Sequence, residues 1–254
     1  MASGASRRRG AEAPPRRFYF TVTPARAYDI QGMLNISYWV ERLEDPFEMF
    51  PMQSVMRSLA GLADEQEQRR FDRAGPWGTP SPKYYTVEDE HDIEVVGHLV
   101  GTAFVLGQAT ITQAVSLVKR MYEDAGKPSW IPSDKSEIMK TAAPIHPETG
   151  LSKITITNAI ANYYKHHYEW WDDWSGPPNS KPTIDVAVQL GLGPKGYHDL
   201  EHALRELGIY PHNMAPLAQL VVTWREELAE HIRVEGKKNG VSIAPRFPEF
   251  DDPE

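Results

Sequence analysis

The chain has 254 residues, of which 41% are hydrophobic and 24% are charged, and it contains no cysteine. This composition is that of a globular protein with a sizeable core, and the lack of cysteine excludes disulfide scaffolds, cysteine nucleophiles and thiolate metal sites. The net charge of -8 is uneven, because residues 1–17 carry five arginines and one glutamate. The rest of the chain is acidic, which argues against a broad DNA-binding surface. A local basic patch is the one nucleic-acid surface that this charge distribution allows.

The N-terminal part of the chain predicts a tail followed by a helix. Residues 1–17 are rich in Ala, Ser, Gly and Pro, so we expect a disordered basic tail, and no apolar stretch follows the arginines as a signal peptide would require. A short strand signal at 18–22 is too isolated to build a sheet. Thr23-Pro24 is typical of a helix start, and Asp45-Pro46 should end that helix.

The rest of the chain also favours helices. Apolar residues at helical spacing predict helices over about 52–73, 88–125, 136–141, 152–171, 183–190, 197–207 and 214–235. Asn213 is the expected N-cap of the last helix and Gly236 its expected end. We predict an all-α fold, a helical bundle with one long central helix and short accessory helices, in a single domain over 18–235. Residues 236–254 are expected to form a flexible C-terminal tail.

The predicted long helix contains no charged residue from Val95 to Val118. That length could cross a bilayer of about 30 Å. The segment also contains polar side chains and three glycines, Gly97, Gly101 and Gly107, which would allow neighbouring helices to approach closely. We therefore interpret it as the buried centre of a bundle and expect a cytoplasmic protein with no membrane partner.

The most informative segment follows this helix and combines polar and aromatic residues. Read as a helix, it has one face that should lie in the core, made of Ile156, Ile160, Tyr163, Tyr164, His167 and Trp171. The opposite stripe contains Asn158, Asn162, Lys165, His166 and Glu169. Asn162 and His166 are four positions apart, so their side chains should be neighbours.

The polar stripe holds the residue types that acid–base chemistry on a phosphodiester needs. A histidine can give or take a proton near neutral pH, a lysine can contact a phosphate, and an asparagine can orient an imidazole. We predict these roles for His166, Lys165 and Asn162 respectively. Cleavage of RNA by attack of its own 2′-hydroxyl uses such groups without a metal or cofactor, so neither is expected. The alternative is a solvated helix face beside an aromatic core.

The pattern Asn162-x-x-Lys165-His166, on a helix that follows a long helix, resembles the HEPN superfamily of small helical bundles. The resemblance covers roughly residues 88–174. Many members of that superfamily are metal-independent RNases of toxin–antitoxin, phage-defence or RNA-processing systems, and such bundles commonly dimerise. The resemblance therefore implies an RNA-directed homodimer, either a weak metal-independent endoribonuclease or an RNA-binding protein of a defence or toxin type.

One position departs from the superfamily signature, which begins with an arginine. Ala161 occupies that position here, and alanine can neither bind a phosphate nor stabilise charge. The alternative function is therefore a non-catalytic helical interaction or regulatory module, which would bind a protein partner.

Two further patterns suggest metal sites. His198 and His202 belong to an H-x-x-E-H pattern like that of inverted zinc proteases, which need a third ligand far downstream. Glu88-x-x-His91 is similar to one half of a di-iron bundle site, and no second Glu-x-x-His follows. We prefer helix-edge and helix-start interpretations for these residues, and a metal-binding bundle that uses His91 and His98 is the third alternative.

Overall fold

A computed structural model describes residues 35–45, 51–74, 86–166, 169–170, 174, 176–194 and 197–243. Regular secondary structure within these ranges is helical throughout, and the β contacts there are two isolated bridges, Ile145–Ser152 and Tyr210–Asn213. The predicted all-α fold is confirmed. The predicted tail over 1–17, the strand signal at 18–22 and the start of the first helix lie outside the described residues.

The helices pack as a bundle. They are α1 (helical over residues 35–44), α2 (Met52–Ala74), α3 (Val87–Asp124), α4 (Lys135–Lys140), α5 (Lys153–His166), α6 (Lys181–Gln189), α7 (Tyr197–Glu206) and α8 (Ala215–Lys238). A short 3-10 helix, Pro178–Ser180, leads into α6. Helix α3 contacts α2, α4, α5, α7 and α8, so it is the long central helix that the sequence predicted, and α4, α6 and α7 are the short accessory helices.

The start of α3 has a reciprocal capping arrangement. The Thr86 hydroxyl accepts a hydrogen bond from the Asp89 backbone N–H, and the Asp89 carboxylate accepts one from the Thr86 N–H. This reciprocal pairing satisfies two backbone donors that a helix start leaves free. The predicted boundaries of this helix, 88–125, are each within one residue of the observed ones.

Two of the glycines in α3 allow α5 to pack closely against it. A Cβ atom at Gly101 would lie 2.3 Å from Cδ2 of Tyr164, and one at Gly107 would lie 3.2 Å from Cγ2 of Thr157. Both neighbours belong to α5. The close approach that the glycines predicted is therefore observed at these two positions.

Helix α3 is also long and apolar enough, by length and composition, to cross a membrane. Within its most apolar 18-residue window, 56% of the residues are buried inside the molecule. A central bundle helix has the same properties, because it is covered by other helices on most sides.

Helix α5 is shorter than predicted, because it ends at His166 rather than near residue 171. The chain then brings the buried side chain of Trp170 against Tyr163 and Trp174, with ring centroids 6.0 and 6.3 Å from that of Trp170. Burying a large aromatic side chain in such a cluster offsets the loss of further helical hydrogen bonds. The predicted core residues 167 and 171 lie outside the described residues.

Both predicted ends of the last helix were wrong. The N-cap of α8 is Met214 rather than Asn213, and no side chain caps it. The helix continues through Gly236, where Trp130 and Ile243 pack within 3.3 Å of a notional Cβ. Gly236 therefore provides space for packing, and the chain leaves the helix at Gly240, which has φ +78°. The predicted domain boundary at residue 235 falls inside α8.

Candidate functional site

The three predicted site residues lie together in the last two turns of α5. The side chain of His166 is exposed, and those of Asn162 and Lys165 are half-buried. The predicted polar stripe therefore exists at this end of the helix. Asn158, one turn earlier, was expected on the same exposed stripe, but it is buried against α3.

Gln108 of α3 organises the polar residues of α5. Its Nε2 atom donates to Oδ1 of Asn162 at 2.8 Å and to the backbone carbonyl of Asn158 at 3.0 Å. Its Oε1 atom accepts from Nζ of Lys165 at 2.7 Å. The amide of Gln108 thus joins Asn162 to Lys165. Buried amides keep such partners because an unsatisfied polar group is costly.

The structure changes the role expected for Asn162. Its side-chain oxygen accepts from Gln108, and no hydrogen bond joins it to His166 among the described residues. The side chain that orients the imidazole is Glu169, whose Oε1 lies 3.1 Å from Nδ1 of His166. When Nδ1 carries the proton and donates it to Glu169, Nε2 presents a lone pair to its surroundings.

A pocket of about 220 Å³ opens beside His166. The polar side chains that line the pocket belong to α5, to the residues after α5, to the 3-10 helix and to α6. They are Asn162, His166, Glu169, Asn179, Ser180 and Thr183. The side chains of His166 and Glu169 are each 47% exposed, so a ligand in the pocket can reach both. Lys165 flanks this group on the side of α3, where Gln108 holds it.

Position 161 faces away from this pocket. Ala161, the position at which the resemblance drawn from the sequence expects an arginine, is fully buried in the core between helices. A longer side chain there would point into packed apolar residues and could not reach the pocket without disturbing the core. The cation next to His166 along α5 is Lys165, and its ammonium group is held by Gln108 of α3.

The candidate metal residues have other contacts. Nδ1 of His98 lies 3.1 Å from the Tyr164 hydroxyl, and Nε2 of His202 lies 3.0 Å from the Leu190 carbonyl oxygen. No group of three or more His, Cys, Asp or Glu side chains that could hold a metal occurs in the part of the chain that the structure describes. The side chain of His198 lies outside that part.

Sequence reasoning missed the two side chains that position the site. Gln108 lies 54 positions before Asn162, and its only sequence signal is an amide inside a charge-free helix. Glu169 belonged to the predicted stripe, and its spacing of three positions from His166 is a signal that could have predicted the pair. The position of Gln108 depends on tertiary structure, which local spacing does not specify.

No protein-family profile, no curated protein and no solved structure matches this chain, so the site's own geometry carries the functional argument.

Proposed function

We propose that the pocket beside His166 cleaves RNA without a metal ion, by promoting attack of a 2′-hydroxyl on the adjacent phosphodiester. The observation that carries this proposal is the pair formed by His166 and Glu169, an exposed imidazole with its Nδ1 held by a carboxylate at the edge of a polar pocket. A carboxylate in that position favours the tautomer that carries its proton on Nδ1, which leaves Nε2 free to accept a proton.

The proposed step is a transesterification. Nε2 of His166 takes the proton of the 2′-hydroxyl, and the 2′-oxygen forms a bond to phosphorus while the bond between phosphorus and the 5′-oxygen breaks. The leaving 5′-oxygen receives a proton from water, and the hydroxide that remains takes the proton from His166, which restores the neutral imidazole. The products are a 2′,3′-cyclic phosphate and a 5′-hydroxyl, so neither a redox partner nor a metal ion is required.

Lys165 supplies positive charge next to this step. Its hydrogen bond to Gln108 uses one of the three ammonium protons and leaves two for a non-bridging phosphate oxygen. Asn162 acts through Gln108, because the Asn162 carbonyl accepts from the amide that fixes Lys165. Asn162 is therefore a positioning residue in this proposal, and His166 and Lys165 are the groups that meet the substrate.

The test is cleavage of a 5′-labelled single-stranded RNA in excess EDTA. We expect the wild-type protein to cut ribose RNA and to leave a 2′-O-methyl strand of the same sequence intact. His166→Ala should lower the rate by at least about 100-fold, the usual contribution of a general base. Glu169→Gln should cause a smaller loss, because the imidazole keeps a hydrogen-bond partner at Nδ1 but loses the charged acceptor.

His91→Ala is the matched control, because His91 is an exposed histidine on α3 outside the pocket. It should cleave like the wild type. Equal cleavage by the wild type and by folded His166→Ala would contradict the proposal, as would the absence of cleavage by the wild type.

A second candidate function is binding without cleavage, and the buried Ala161 favours it, since the pocket has no arginine from the HEPN signature. In this case the wild type would bind RNA or a protein partner and leave ribose RNA intact. The homodimer and the cytoplasmic location implied earlier stay predictions, and sedimentation of the purified chain tests the first of them.

A further inference from the structure

Three lysines from different helices lie on the side of the site that faces α3. Lys165 of α5 is fixed to α3 through Gln108, with 2.7 Å between its Nζ and the amide oxygen. Lys119 lies further along α3, and Lys135 begins α4, which packs against both α3 and α5. Lys119 and Lys135 are exposed, and Lys165 is half-buried.

None of these three lysines forms an ion pair with a described carboxylate. Other lysines of the same chain do, such as Lys127 with Glu123 and Lys238 with Glu235. Two acidic residues close to Lys135 form hydrogen bonds with backbone N–H groups. The Asp134 carboxylate accepts from the N–H groups that start α4, and the Glu137 carboxylate accepts from the Ser133 N–H. The three lysines therefore have no ion-pair partner among the described residues, in a chain whose net charge is -8.

Lys135 lies close enough to the other two lysines to be affected by their charge. Although its side chain is exposed, loss of part of its hydration lowers the pKa of Lys135, and the positive charges of Lys165 and Lys119 lower it further. Repulsion among like charges is unfavourable unless an anion relieves it. An unneutralised group of cations on an acidic protein is the electrostatic footprint expected of a phosphate-binding surface.

We propose that Lys165, Lys135 and Lys119 form a track that binds the phosphate backbone of single-stranded RNA as it leaves the His166 pocket. From Gln108 to Lys119 the track follows eleven residues of α3, about 16 Å of helix. At about 3.4 Å per nucleotide of a stacked strand, this length holds about five nucleotides. The surface contacts phosphates alone, so it binds strands with little dependence on sequence.

This inference rests on the proposed function and adds that the substrate of the His166 pocket is single-stranded RNA. The test measures binding of a fluorescent 12-nucleotide 2′-O-methyl RNA by anisotropy over a series of salt concentrations. This probe cannot be cut by 2′-hydroxyl attack, so binding is read separately from cleavage. The double variant Lys119→Ala/Lys135→Ala should reduce the slope of log affinity against log salt by about 1.4, since each phosphate contact on a single strand contributes about 0.7.

Two further double variants serve as controls. Lys119→Arg/Lys135→Arg keeps both charges and should keep the wild-type slope. Arg57→Ala/Arg69→Ala removes two exposed cations from α2, which contacts neither α4 nor α5, and should also leave the slope unchanged. Circular dichroism of each variant establishes that the helices are intact.

The outcomes separate the two proposals. A reduced slope without cleavage of ribose RNA by the wild type supports the track and overturns the nuclease. Cleavage that depends on His166, with a slope unchanged in Lys119→Ala/Lys135→Ala, overturns the track and supports the nuclease. If the 2′-O-methyl strand and ribose RNA both fail to bind the wild type, both proposals are overturned.

Discussion

At the scale of single residues, Gly101 is the position where α3 has no room for a side chain. A Cβ there would lie 2.3 Å from Cδ2 and 2.5 Å from Cγ of Tyr164, a ring carried by the same helix as His166. The Tyr164 hydroxyl also contacts Nδ1 of His98, so the ring is held on both sides. A substitution at Gly101 must therefore move α5 relative to α3.

We expect Gly101→Ala to lower the free energy of unfolding by about 2 kcal/mol, the usual cost of overfilling a packed core. Gly61→Ala is the matched control, because Gly61 is an exposed residue inside α2 and no atom lies within 4 Å of its notional Cβ. It should raise the free energy of unfolding by about 1 kcal/mol through helix propensity. Urea denaturation of both variants gives the two values, and a Gly101→Ala protein as stable as the wild type would contradict the close approach.

At the scale of helices, the N-terminus of α3 is stabilised by a carboxylate with several donors. The hydrogen bond from the Thr86 backbone N–H holds the pKa of Asp89 below its ordinary value of 3.8, and the hydrogen bond from Arg73 of α2 lowers it further. Arg73 also contacts Asp92, so the end of α2 is joined to the first turns of α3. The negative charge additionally suits the positive end of the helix dipole.

This pairing should make stability depend on pH in the acid range. Because the pKa of Asp89 is lower in the folded state, its contribution is present above about pH 3.8 and is lost as the pH falls through the folded value. We expect Asp89→Asn to lower Tm at pH 7 and to lose less Tm than the wild type between pH 5 and pH 2.5. Glu90→Gln, which changes an exposed carboxylate in the same turn, should follow the wild-type profile. If Tm falls with pH to the same extent in the wild type and in Asp89→Asn, the lowered pKa of Asp89 does not contribute to stability and the prediction is wrong.

At the scale of the whole molecule, a fully buried arginine joins the first described helix to the last. Arg225 of α8 donates to the carbonyl oxygens of Leu43 at 3.0 Å and Arg42 at 3.1 Å, at the end of α1. It also donates to the side chain of Gln113 of α3 at 3.4 Å. One guanidinium thereby satisfies carbonyl groups that the end of α1 leaves free and holds three helices together.

We expect Arg225→Met to lower the free energy of unfolding by about 3 kcal/mol, because two buried carbonyl oxygens lose charged donors. Arg205→Met removes an exposed arginine from α7 and should change stability little. Chemical denaturation of both proteins checks the difference. An Arg225→Met protein within 0.5 kcal/mol of the wild type would show that these contacts do not hold the bundle together.

The sequence by itself determined the fold class, most helix positions and the central place of α3. The charge-free run and the glycine at 101 are local signals, and the structure has the helix within one residue of its predicted ends. Spacing of three and four residues likewise placed Asn162, Lys165 and His166 on one helix face, because helix geometry brings such positions together.

Only the tertiary structure decided which groups these side chains meet. Gln108 reaches Asn162 and Lys165 because glycines let α3 and α5 approach, and Trp170 is buried against Tyr163 after α5 ends. Ala161 faces the core for the same packing reason. These contacts depend on how helices distant in sequence pack together, and the periodicity of one helix contains no information about its neighbour.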